Sequence, residues 1–355
     1  MAIGSRTHLT LYLTGGYLLL IVYASLYPLA GWRDSGGNPL DFLYAAWPRY
    51  YTDFDLATNV AVYLPFGLLC AAALRRRLPA VPAGLLATLL GSAVSLSMEL
   101  LQNYLPDRVP SNLDLACNAA GALLGAWLGA SKASYLLDEG RLADWRRKNL
   151  MRGYGVDLGV MLVAAWLLTQ LSPESLLFGS GNLRLMLDLP PVQPFLAERF
   201  ISVETTIAAS GLLAAGLIVT LLLRRHARPL TIGLLLFAVL VKAATHGVLM
   251  GQAAALAWIT PGNSTGMAIG LLLWWSATFL GIELQRAVAA LALLFATVMV
   301  NVAPDNPYLQ NTLNIWNPGQ FLNFNGLTRL ISSLWPFLAL PWLMSYRPRT
   351  NDSDY

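Results

Sequence analysis

The chain has 355 residues, 56% hydrophobic and 12% charged, with a net charge of +4, whereas soluble domains carry about a quarter charged residues. Apolar runs of roughly 20 residues recur from end to end, each long enough to cross about 30 Å of hydrocarbon as a helix. That excludes a cytosolic enzyme, a disulfide-stapled secreted domain and a disordered tail, and the expected class is all-α, a polytopic bundle of transmembrane helices.

About ten spans are expected, near residues 9–29, 55–74, 80–101, 113–130, 156–172, 201–223, 229–250, 264–283, 287–303 and 329–346. With the N-terminus placed inside, sixteen Lys and Arg residues fall in cytoplasmic connections and six (Arg33, Arg49, Arg108, Arg184, Arg199 and Arg329) on the opposite side. Cytoplasmic loops are the basic ones, so both termini are expected in the cytoplasm. Basic loops such as Arg141 to Arg152 then read as contacts to anionic headgroups, with membrane lipids as partners and no nucleic acid. The first span is read as an uncleaved helix. The chain divides as 1–54 (first span and outer loop), 55–130 (a transmembrane core), 131–155 (a basic cytoplasmic loop) and 156–355 (a second bundle of about six spans).

Cys70 and Cys117 both fall inside spans, where a thiol is a small apolar side chain, and no disulfide is expected. The CxxC and HExxH metal spacings, the GxSxG elbow and the phosphate-binding glycine loop do not occur, so neither metal nor cofactor is expected.

Polar groups inside a bilayer are costly and are functional candidates by default. Span two opens with Asp55 and Asn59 on one helical face and contains Pro65, which should kink it. Span three ends Met98-Glu99-Leu100-Leu101-Gln102, and Arg108 follows in the connection to span four, which presents Asp114 and Asn118. Spans two and four begin where span three ends, so Asp55, Glu99, Arg108 and Asp114 should meet, three carboxyls against one guanidinium. Other readings stand beside this one. Asp55 and Asp114 are placed to cap helices, Glu99 could simply pair with Arg108, and Asn59 and Asn118 could join helices by hydrogen bonds. Gly121, Gly125 and Gly129 read as a close helix–helix contact.

The ordered set Asp55…Asn59…Pro65-Phe-Gly67, Glu99-Leu-Leu-Gln102, Leu-Pro-Asp-Arg108 and Asp114…Asn118…Gly121…Gly125, covering about residues 55–130, resembles the VanZ-like family. The resemblance makes Asp55, Glu99, Gln102, Arg108, Asp114 and Asn118 the signature positions. Many members carry Pro-Gly-Arg where this chain has Pro106-Asp107-Arg108, and some have His at Asn59, so a histidine relay is not expected here. The resemblance implies a multi-pass protein of the bacterial plasma (inner) membrane, in a family named for a link to teicoplanin resistance and with relatives beside exopolysaccharide systems.

The second bundle resembles nothing assigned. Its intramembrane oddities are Lys242 and His246 in span seven and Glu204 in span six, with a Lys242–Glu204 pair expected to neutralise both charges. The outer loops 173–200 and 304–328 carry Phe178, Phe195, Tyr308, Trp316, Phe321 and Phe324, read as an interfacial belt or as stacking platforms for sugars. Three functions follow. An envelope amphiphile, a lipid-linked glycan or phospholipid, is bound with Arg108 on its phosphate and Asp55, Asn59, Gln102 and Asn118 around it. Alternatively, Glu99 and Asp114 are acid–base groups of an intramembrane enzyme acting on a phosphoester or glycosyl bond, or their carboxyls with Asp55 hold a divalent cation. The third is proton-coupled transport through Glu204, Lys242 and His246.

Overall fold

The computed structural model describes residues 9–27, 29–34, 36–48, 50–106, 108–133, 141–151, 155–172, 174–187, 189–307 and 322–347. Arg6, Arg49, Asp107, Arg152, Tyr308, Trp316, Phe321 and Arg349 lie outside these residues, as does the side chain of Phe324. The described residues are helical, with no strand among them and one isolated bridge, Leu150 to Leu223. The helices are α1 (Leu9–Leu26), α2 (Asp53–Leu74), α3 (Ala80–Gln102), α4 (Asn112–Leu128), α5 (Arg141–Asn149), α6 (Val156–Thr169), α7 (Leu183–Met186), α8 (Ala197–Leu222), α9 (Ala227–Met250), α10 (Pro261–Ala277), α11 (Ile282–Val302) and α12 (Leu322–Ser345).

Each of the ten expected spans coincides with a helix. Eight helices among the described residues are long and apolar enough to cross a membrane; α6 and α10, with 14 and 17 residues, are short for a full crossing. Large apolar side chains such as Leu19, Leu89, Trp127, Leu272 and Leu291 point outward. Water would penalise that surface, and hydrocarbon does not. The chain is accordingly a multi-pass membrane protein.

Two compact units make up the chain, residues 1–146 and 147–355. In the first, α2 packs against α4, α1 and α3. The sequence reason is glycine. A methyl at Gly121, Gly125 or Gly129 would overlap the backbone carbonyl of Val60, Leu64 or Leu68, and one at Gly67 would overlap that of Ala122. Without side chains at these positions the two helices close backbone to backbone. α2 continues through Pro65 to Leu74. Its upper half packs Tyr63 and Phe66 against Ile21, Leu26, Met98 and Leu105, and its lower half packs Cys70 and Ala71 against Ala87, Ala126 and Ala130.

In the second unit α8 is the central helix, buried on nearly every side. Gly266 and Gly270 of α10 lie against Thr205 and Ala209 of α8, and Gly216 of α8 receives Trp274. Indole and phenol groups then find polar partners within the apolar core. Trp335 Nε1 donates to the Leu162 carbonyl at 2.7 Å, Trp342 Nε1 to Gly155 at 2.8 Å and the Tyr346 hydroxyl to Leu221 at 3.2 Å, fixing α12 and its end against α6 and α8. Phe178 is buried and stacks on Trp166 at 5.8 Å. It belongs to the core, contrary to the belt and sugar-platform readings; Phe195, half-buried, packs against Phe200.

Candidate functional site

The signature residues gather at one end of the first unit, where α3 ends and α2 and α4 begin. Asp55 is an exposed helix cap. Thr52 Oγ1 accepts its N–H at 3.2 Å, while Asp55 Oδ2 accepts the Thr52 N–H at 3.0 Å and the Thr52 hydroxyl at 2.8 Å. Two unpaired donors of the first turn are thereby satisfied reciprocally.

Glu99 is different, being 4% exposed. Its Oε2 accepts the N–H of Ser111 at 2.9 Å; Ser111 is the N-cap of α4, and its Oγ accepts the Asp114 N–H at 3.2 Å. Asp114 Oδ1 in turn accepts from Asn59 Nδ2 at 2.8 Å. This relay ties α3, the α3–α4 connection, α4 and α2 into one polar set; of the four residues expected to meet, Glu99 and Asp114 take part in it, whereas Asp55 turns to its own cap and Arg108 to α1. Asp55 is in Coulombic range of Asp114, and Asp114 and Arg108 are in range of Glu99.

Gln102 and Arg108 turn toward α1. Gln102 Nε2 donates to the Ser25 carbonyl at 2.9 Å, and Arg108 Nη2 donates to the Tyr27 carbonyl at 3.0 Å. These carbonyls terminate α1, where the helix dipole is negative and a cation is favoured. Amides pin the preceding segment over the same end, with Asn103 Nδ2 on the Pro39 carbonyl and Asn112 Nδ2 on that of Ala45.

One turn deeper, Asn118 Nδ2 donates to Ser95 Oγ at 2.9 Å, and the Tyr63 hydroxyl faces Ser95, Ser25 and Glu99. Tyr63, Ser95 and Ser111 were not singled out from the sequence. The signal was present as spacing. Tyr63 lies four residues after Asn59 and Ser95 four before Glu99, on the faces those residues already define.

The carboxyls do not converge on a divalent cation. Asp55 is committed to its cap, and no group of three or more His, Cys, Asp or Glu side chains suited to a metal occurs among the described residues.

In the second unit the expected Lys242–Glu204 pair is not formed. Lys242 is buried, and its Nζ donates to the carbonyls of Ser172 at 2.6 Å and Ser175 at 2.7 Å and to Ser175 Oγ at 3.1 Å. These oxygens lie just past the end of α6, where the Ser175 hydroxyl also donates to the Ser172 carbonyl, and an ammonium with three donors suits them. Glu204 instead faces the start of α10, accepting from the Thr260 hydroxyl on Oε2 and from Asn263 Nδ2 at 3.0 Å on Oε1. Gly262 permits this approach, since a Cβ there would lie 2.5 Å from Oε2, and a helix start favours an anion. His246 Nδ1 lies 3.1 Å from the Lys242 carbonyl one turn back.

A groove of about 460 Å³ runs between α3 and α4, lined by Ser92, Ala93, Leu96, Leu115, Ala116 and Ala119 and reaching the site end at Asn112 and Leu43.

Residues 14–132 match the model of the family described as VanZ/LLP1, and the C-terminal half matches no family. The first unit is thus similar to that family over about a third of the chain, and the match takes in most of α1 as well as the 55–130 segment. No curated protein and no solved structure matches the chain.

Proposed function

We propose that the VanZ-like unit binds the phosphate-bearing head of an envelope amphiphile, a phospholipid or lipid-linked glycan, in the outer leaflet of a bacterial inner membrane. The observation that carries the reading is a half-buried guanidinium, Arg108, anchored on the α1 terminus at the same end as an open apolar groove. A guanidinium held in a defined plane matches two phosphate oxygens, and an alkyl or isoprenoid chain suits a groove lined by Leu, Ala and Ser. Glu99, Asp114 and the Asn59 amide hold the helix ends that carry Arg108. Glycopeptide tolerance or exopolysaccharide assembly is the setting in which such binding would act.

Native mass spectrometry of the protein with phosphatidylglycerol, phosphatidylcholine and a polyprenyl phosphate tests this. Losing a charged hydrogen bond removes about 1.5–3 kcal/mol, so Arg108→Ala should weaken binding roughly 10- to 100-fold. Arg108→Lys should fall between. Unchanged binding of every phosphate-bearing lipid in Arg108→Ala would end the reading.

A further inference from the structure

The cluster enclosed by α1, α2, α3 and α4 contains two buried polar atoms that make no hydrogen bond of good distance and angle, Asn118 Oδ1 and the Tyr63 hydroxyl, the latter only loosely approached by the Ser95 and Ser25 hydroxyls. Tyr63 is 2% exposed and Asn118 6%, so bulk water does not serve them, and orphaned buried groups of this kind call for an explanation. Both belong to one spot. Asn118 bonds Ser95 Oγ through its amide nitrogen, and the Tyr63 hydroxyl faces Ser95, Ser25 and the Glu99 carboxylate. Ser95 is itself fully buried.

The chemistry of the lining is one-sided. Apart from the Asn118 amide nitrogen, already engaged, the groups that meet there are oxygens: a phenol, two serine hydroxyls, an amide carbonyl and a carboxylate. Glu99 accepts its Ser111 bond on Oε2. Two carboxylates stand close by, the buried Glu99 and the half-buried Asp114. In a low-dielectric interior they draw a cation.

We propose that this cluster binds one small monovalent cation, ligated by Asn118 Oδ1, Tyr63 Oη and Ser95 Oγ, with Glu99 supplying the charge. A divalent ion is disfavoured, because hard divalent cations recruit several carboxylates or waters and one carboxylate is within reach. Cation binding here would clamp α2, α3 and α4 together one turn below the Arg108 end. It does not depend on the lipid reading.

The test is the melting temperature of the full-length protein in lipid nanodiscs, in sodium, potassium or choline chloride at equal ionic strength. Sodium or potassium should raise it by several degrees over choline, saturably, as expected for a ligand of the folded state. The increment should vanish in Asn118→Leu and Tyr63→Phe, each compared with its own choline baseline so that a plain loss of stability cancels. No dependence on the cation overturns the proposal and leaves a water as the occupant. So does an increment seen with magnesium alone, or one that survives in both variants. Should neither variant fold, equilibrium binding of radioactive sodium and rubidium to the wild type decides: one displaceable ion per chain supports the site, and none overturns it.

Discussion

Glu99 and Lys242 both lie buried in spans, and among the described residues the hydrogen bonds of each go to neutral partners. For Glu99 the bond to the Ser111 N–H makes the shape of the acceptor matter as much as its charge. Glu99→Gln keeps an oxygen for that N–H and should unfold within about 1 kcal/mol of wild type. Glu99→Leu strands the donor and should lose about 1–3 kcal/mol, measured by denaturant titration in mixed micelles; equal losses in the two variants would show that the bond is not what Glu99 contributes. For Lys242 the three donated bonds reach Ser172 and Ser175 and none reaches Glu204. A double-mutant cycle of Lys242→Met and Glu204→Gln should therefore give a coupling below about 0.5 kcal/mol, whereas a buried ion pair would couple far more strongly. The polar residues themselves were readable in the sequence, because a charge in an apolar run stands out. Their partners divide into two kinds. Asn59 and Asp114 sit at matching depths of neighbouring spans and could be paired by topology; Lys242 bonds two backbone carbonyls and a serine about seventy residues upstream, and backbone atoms leave no mark in a composition.

At the scale of elements, the helix contact that positions the site is written in small residues. Gly125 has the Leu64 carbonyl where a Cβ would go, while Gly15 in α1 and Gly233 in α9 have nothing within 4 Å of theirs. Gly125→Ala should cost about 1–3 kcal/mol through forced separation of α2 and α4. Gly15→Ala and Gly233→Ala should leave stability unchanged or raise it by up to about 1 kcal/mol, the helix preference of alanine over glycine. Thermal unfolding of the three variants in one detergent checks both halves, and a Gly125→Ala protein as stable as Gly15→Ala would contradict the close approach. The spacing of Gly121, Gly125 and Gly129 announced a contact but not its partner. Soluble helices betray their inner face by an apolar stripe, and here lipid-facing residues such as Leu89 and Trp127 are as apolar as the core. The same uniformity lets each long apolar run announce a helix but blurs its ends, so that the end of α10 and the starts of α11 and α12 fall about five to seven residues from the expected bounds, and short polar-edged pieces such as α5 and α7 were not anticipated.

For the molecule as a whole, the sign of the membrane remains the premise on which an outer-leaflet function rests, and the basic residues make it testable. The α2–α3 connection holds Arg75, Arg76 and Arg77, and the α3–α4 connection holds Arg108 beside Val109. The single crossing made by α3 puts these connections on opposite sides whichever way the chain inserts, and the clustering of Lys and Arg predicts that the triple-arginine side is cytoplasmic. Arg77 and Val109 are both exposed, Val109 at 86%, so a cysteine at either site is reachable from its own compartment. In a background carrying Cys70→Ala and Cys117→Ala, a membrane-impermeant maleimide applied to intact cells should label Val109→Cys and spare Arg77→Cys until the membrane is permeabilised. The opposite pattern would move Arg108 and the α3–α4 groove to the cytoplasmic leaflet. Phosphate recognition by the guanidinium would then still be chemically sound, but its ligand would have to come from the cytoplasmic face, and a role in handling amphiphiles already delivered to the cell exterior would fall.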